Sequence, residues 1–102
     1  MTQLKTDEEL FVRLRQRDIK VYEECVEKYK NYVGSIIVRQ IGNTMEKEDI
    51  EEVVSDVFFA IWKQADKINI DNSDSWNLKA YLASIAKKKA INKLRQKSKL
   101  NI

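Results

Sequence analysis

Histidine and proline are absent from the 102 residues, and glycine stands only at Gly34 and Gly42. Sheet-rich folds of this size need turn residues every few positions, so their scarcity points to helices joined by few connections. The single cysteine, Cys25, excludes an internal disulfide and a Cys-based zinc site, and without histidine only carboxylates are left as transition-metal ligands. Also missing are an apolar run of membrane-spanning length and a signal-peptide-like start, since the stretch from Met1 to Glu9 is polar and acidic. The cytoplasm is the expected compartment, with no membrane contact. Enzyme chemistry lacks its usual carriers: no His for general-base work, no Gly-rich phosphate loop, no Ser in a nucleophile turn. The chain is expected to be non-catalytic and to hold neither cofactor nor metal.

What is present fits one helical domain covering residues 1–102. Hydrophobic residues make up 43% and charged ones 34%, enough to bury a core and still leave a wide polar surface. No repeat or linker divides the chain. A first helix is expected from Asp7 to Gln16, entered by Thr6 with Glu9 three residues on, a capping-box pattern. Asp18 is placed to cap a second helix, from Ile19 to Gln40, in which Val21, Tyr22, Cys25, Val26, Tyr29, Val33, Ile36 and Ile37 recur at helical spacing. On that stripe Cys25 reads as a small core residue, not a nucleophile. Gly42 and Asn43 stop the helix. A third helix starts near Glu46 and carries Ile50, Val53, Val54, Val57, Phe58, Ile61 and Trp62 on one face. After the turn-rich stretch 69–75, a fourth begins near Ser75 or Trp76 and runs to about Lys97, its apolar set being Leu78, Tyr81, Leu82, Ile85, Ala86, Ile91 and Leu94. The expected fold is all-α: a small bundle of three long helices plus a short N-terminal one.

Charge is sorted along the chain more strongly than its sum of +3 suggests. From Lys79 onward there is no acidic residue, while Lys79, Lys87, Lys88, Lys89, Lys93, Arg95, Lys97 and Lys99 are basic. Between Glu46 and Asp56 the balance is reversed, with Lys47 the one cation. A basic helical face is the footprint of a phosphate-tracking surface, but lysines at a helix end also simply complement its dipole. Acidic residues at a helix start have the matching bland account. Trp76 and Tyr81 adjoin the basic segment, as flat rings do where unpaired bases stack; Tyr81 suits a core position better, Trp76 an exposed one. A nucleic-acid role requires the last helix to present its lysines on one open face.

Two blocks carry a resemblance. The stretch from Glu48 to Trp62, EDIEEVVSDVFFAIW, resembles the region 2.2 helix of extracytoplasmic-function (ECF) sigma factors, in which a Phe is followed four residues later by a Trp, as Phe58 and Trp62 are here. The stretch from Leu78 to Arg95, LKAYLASIAKKKAINKLR, is similar to regions 2.3 and 2.4 of the same family, and residues 10–32 more loosely to region 2.1. The resemblance implies a region 2 domain that binds the clamp coiled coil of RNA polymerase core and holds the promoter −10 element as single-stranded DNA. It implies polymerase contacts at Asp49, Glu52, Ser55 and Asp56. DNA contacts are implied at Trp76, Lys79, Tyr81, Lys87, Lys88 and Asn92, with Lys93 and Arg95 on the same basic helix and the loop from Ile68 to Ser75 shaping a base pocket. Ser55 stands where Gln is usual, Lys88 where Asn is usual and Asn92 where Asp is usual, so a base-reading contact at position 88 becomes a phosphate contact. The −35-reading domain of such factors is absent, so the expectation is a fragment of a longer factor, with a natural short protein that works beside a separate partner subunit as the alternative. An anti-sigma protein that covers these surfaces is a further partner consistent with the resemblance. The competing reading is a sigma-like helical regulatory module that binds protein and not DNA.

Overall fold

The computed structural model describes residues 7–64 and 78–100. Four helices occupy them: α1 (Asp7–Arg15), α2 (Ile19–Ile41), α3 (Lys47–Gln64) and α4 (Leu78–Leu100), with a 3-10 turn, Gly42–Thr44, between α2 and α3. The all-α expectation holds, and among the described residues there is no strand.

Local chemistry sets the boundaries. Asp18 caps α2 with its carboxylate, which accepts from the backbone N–H of Lys20 at 3.1 Å and of Val21 at 3.3 Å. At the other end Gly42 takes φ 61°, a left-handed value that costs a glycine nothing, and its N–H donates to the Val38 carbonyl. The helix runs to Ile41, one residue past the expected Gln40, and Ile41 packs in the core. Between α1 and α2 the chain turns through Arg17, a non-glycine residue at φ 62°. Its guanidinium donates to the Trp62 carbonyl and lies 5.5 Å from the Trp62 ring centroid, which holds the turn against the last part of α3.

Contacts between helices give their directions. Tyr22, early in α2, meets Trp62, late in α3, with ring centroids 4.9 Å apart, so the two helices run antiparallel. Tyr81, early in α4, donates its hydroxyl to Gln64 at the end of α3, and Lys93, late in α4, donates to Glu52 near the start of α3. Hence α4 is antiparallel to α3 and parallel to α2, and Lys79 accordingly lies 4.7 Å from the centre of the Tyr32 ring on α2.

The core is one cluster in which Phe11 and Leu14 of α1, Val33 and Ile37 of α2, Val57 and Ile61 of α3, and Leu78 and Leu82 of α4 are fully buried. Each such side chain contributes about 1.5–3 kcal/mol relative to exposure. Helix α4 enters along Leu78, Leu82, Ala86 and Ala90, all 0% exposed. Two alanines in that seam let its backbone approach its neighbours. The sequence pattern placed Ile91 in this set; it is 36% exposed, because the seam advances by four residues from Leu78 and meets Ala90 instead. Trp62 is only half-buried, in contact with the tilted Tyr22 ring and the Arg17 guanidinium.

Candidate protein-docking and nucleic-acid faces

Helix α3 buries Val53, Val57, Phe58 and Ile61, which turns Glu48, Glu52, Ser55, Asp56 and Phe59 outward. These form one exposed strip at spacings of three and four, predominantly acidic. Glu52, Ser55 and Asp56, three of the four residues singled out for protein docking, lie on it. Asp49 does not lie on it fully. Its carboxylate reaches back to the Glu46 N–H at 3.4 Å, as the third residue of a helix does in a capping box, and its side chain is 16% exposed.

The last turns of α4 close over that carboxylate. Lys97 pairs with Asp49, and Lys93 lies 3.9 Å from Asp49 and 2.8 Å from Glu52. The hydrogen bond from Lys97 holds the Asp49 carboxyl below its ordinary value of 3.8, against an opposing desolvation, with help from the Glu46 N–H and both lysine charges. The hydrogen bond to Glu52 lifts the Lys93 ammonium above its ordinary 10.5. The basic residues of α4 are therefore split, and among the described residues the single open lysine face expected for a nucleic-acid role is reduced to Lys87, Lys88 and Arg95 on the outer side. Lys93 and Lys97 point into the α3 seam because, at about 100° per residue, they fall in line with the buried Ala86 and Ala90. Lys93, assigned to nucleic acid from the sequence, is bound to two carboxylates assigned to the protein partner.

Lys87, Lys88, Asn92 and Arg95 remain on the outer side of α4, all exposed, and Lys87, Lys88 and Arg95 have no ion pair to another described residue. Of the cations that the sequence offered, the outward face thus keeps Lys87, Lys88 and Arg95, while Lys93 and Lys97 turn into the seam and Lys89 sits half-buried beside Asp56 and Lys63 of α3. Tyr81 is half-buried; burial raises its hydroxyl pKa, and the hydroxyl is held by Gln64, so the ring serves the fold as well as any surface. Beside the outward face a shallow groove runs between α2 and α4, lined by Tyr32, Ser35, Ile36, Arg39, Gln40, Ala83 and Lys87. Arg39 and Gln40 were not singled out from the sequence. Only their exposed positions at the end of α2, parallel to α4, bring them beside Lys87. Trp76 and the loop from Ile68 to Ser75 lie outside the described residues.

The family model described as Sigma-70 region 2 matches residues 25–100, which takes in most of α2 and all of α3 and α4. The chain belongs to the sigma-70 region 2 family. A solved region 2 domain shares the architecture: an engineered region 2 of sigmaE, determined by NMR in complex with GTAAAA, superposes with a TM-score of 0.76 at 26% identity, covering 96% of this chain and 95% of that one. No curated protein sequence matches the chain. As a sigma-70 region 2 domain it has RNA polymerase and the promoter −10 element as its partners. None of the described helices is long and apolar enough to cross a membrane.

Proposed function

We propose that this region 2 domain docks on the clamp coiled coil of RNA polymerase through the outward strip of α3, centred on Glu52, Ser55 and Asp56, and holds the opened −10 strand on the outer side of α4. It acts in the cytoplasm and without catalysis, because strand opening needs only preferential capture of unpaired bases. An anti-sigma protein would regulate it by covering the same acidic strip. The observation that carries this reading is the separation of two exposed surfaces of opposite sign on neighbouring antiparallel helices, within a family whose partners are polymerase and promoter DNA.

On the DNA side Lys87, Lys88 and Arg95 neutralise phosphates, with Arg39 and Gln40 of the α2–α4 groove extending that surface across the bundle. Lys79 stays near the Tyr32 ring at the start of this track. Such contacts fix the strand's position and leave base choice to other groups. The similar sigmaE domain, bound to the hexanucleotide GTAAAA, supports a short unpaired ligand of this kind.

A salt titration tests the reading. Single-stranded −10 DNA should bind with log K falling against log salt by about 0.7 for each phosphate engaged, so the three cations of α4 alone give a slope near −2 and Arg39 brings it toward about −3. Reversing Lys87 and Arg95 to Glu should flatten that slope and leave helix content unchanged. A protein-only regulatory module, the competing reading, would show almost no binding even at low salt.

A further inference from the structure

Phe59 is 58% exposed, the most exposed of the large hydrophobic side chains among the described residues, although it belongs to a helix whose other phenylalanine, Phe58, is 2% exposed. It stands one turn beyond Ser55 and Asp56 on the acidic strip of α3. Lys63 covers part of the ring, with its Nζ 5.5 Å from the centroid, and a shallow depression lined by Asp56, Ala60, Lys63, Gln64 and Lys89 adjoins it. The ring contributes nothing to the core, and leaving so large an apolar surface in water is unfavourable.

We infer that Phe59 is the apolar anchor of the polymerase contact: its ring seats in an apolar recess of the polymerase surface while Asp56 meets a cation and Lys63 a carboxylate at the rim. The inference rests on the reading that α3 docks the polymerase, and deepens it by naming the apolar residue at the centre of that contact. Charge selects this occupant. Asp56 stands one turn back and Lys63 and Lys89 flank the ring, a mixed set of charges that suits a protein surface better than a uniform polyanion. A second copy of the chain, packed about a two-fold axis, would set the acidic strip against itself. A protein surface that offers an apolar recess with both cations and carboxylates at its edge satisfies the ring and its rim, and a desolvated aromatic ringed by polar contacts is the usual form of an interface hot spot.

The test measures affinity for core RNA polymerase with wild type, Phe59→Ala, Phe59→Leu and Ile19→Ala, the last a control that is 55% exposed on a different helix. Melting temperature and single-stranded DNA binding are read in parallel. Phe59→Ala should weaken polymerase binding about tenfold or more, with Phe59→Leu retaining most of it and Ile19→Ala all of it. Melting and DNA binding should stay as in wild type. If wild type binds and Phe59→Ala binds equally well, the anchor is overturned while the docking reading stands. A loss as large in Ile19→Ala also overturns it. Failure of wild type itself to bind overturns the docking reading and the anchor together.

Discussion

Arg17 sits in the left-handed region, where an L residue with a Cβ is disfavoured by about 1–2 kcal/mol, yet the turn keeps it. The compensation is its side chain, which satisfies a carbonyl near the C-terminal end of α3 and lies over Trp62. The two effects can be separated. Arg17→Ala keeps the strained backbone and loses the contact, so urea unfolding should show a loss of about 1–2 kcal/mol. Arg17→Gly loses the same contact but relieves the strain, and should recover about 1 kcal/mol relative to the alanine variant. Equal losses in both would mean that the turn stores no strain. Asp49 gives a second test at this scale. Its carboxyl is held below 3.8 in the folded state, so its stabilising contribution is present above the unfolded value and is lost as pH falls through the lowered folded one. Lys93 has the opposite sign: its folded value is raised above 10.5, so its contribution is present below 10.5 and is lost as pH rises through the folded value. Lys97→Ala should move the Asp49 carboxyl titration, followed by NMR, back toward its ordinary value. An unchanged titration would remove Lys97 as the principal cause.

Helix α4 carries the parts of the fold that the sequence pattern served least well. Its seam contains Ala86 and Ala90, residues with little hydropathic signal, and lysines stand in line with it at positions 93 and 97. Ala90→Leu should therefore overpack the contact and cost about 1–3 kcal/mol, whereas Ile91→Ala, on an exposed position, should stay within about 0.5 kcal/mol in the same denaturation assay. The reverse order would mean that Ile91 is the seam residue after all. In α2 and α3, by contrast, β-branched and aromatic residues at strict spacing left little ambiguity. The Asp18 cap, the Gly42 stop and the buried faces were all legible there, and α2 closed one residue later than expected. Glu52, Ser55 and Asp56, which the family resemblance and not the spacing singled out, do point outward. What the period could not give was pairing between helices. That Lys93 reaches Glu52 and Lys97 reaches Asp49 depends on the antiparallel register of α3 and α4, and that Arg39 joins Lys87 depends on the parallel register of α2 and α4. Registers of this kind are set by packing of the whole core, which one-dimensional spacing does not encode.

For the whole molecule, the network joining α3 to α4 makes the domain's two surfaces share their charges. Asp49 and Glu52 hold Lys93 and Lys97 in the seam, so two cations of the basic segment are spent on the fold and withheld from the outward face. Neutralising the holders should reverse that allocation. In Asp49→Asn combined with Glu52→Gln, the α3 cap and the ion pairs weaken, so the melting temperature should fall. The two ammonium groups, on flexible four-carbon stems, become free to swing toward a bound strand. Single-stranded −10 DNA should then bind more tightly at low salt, and the slope of log K against log salt should steepen by about 0.7 for one recruited lysine or 1.4 for two. A change in affinity without a change in slope would not do, because added net positive charge alone raises long-range attraction and leaves the number of phosphates engaged as it was. If the slope stays at its wild-type value, Lys93 and Lys97 are out of reach of the strand even when released, and their role ends with the packing of α4 on α3.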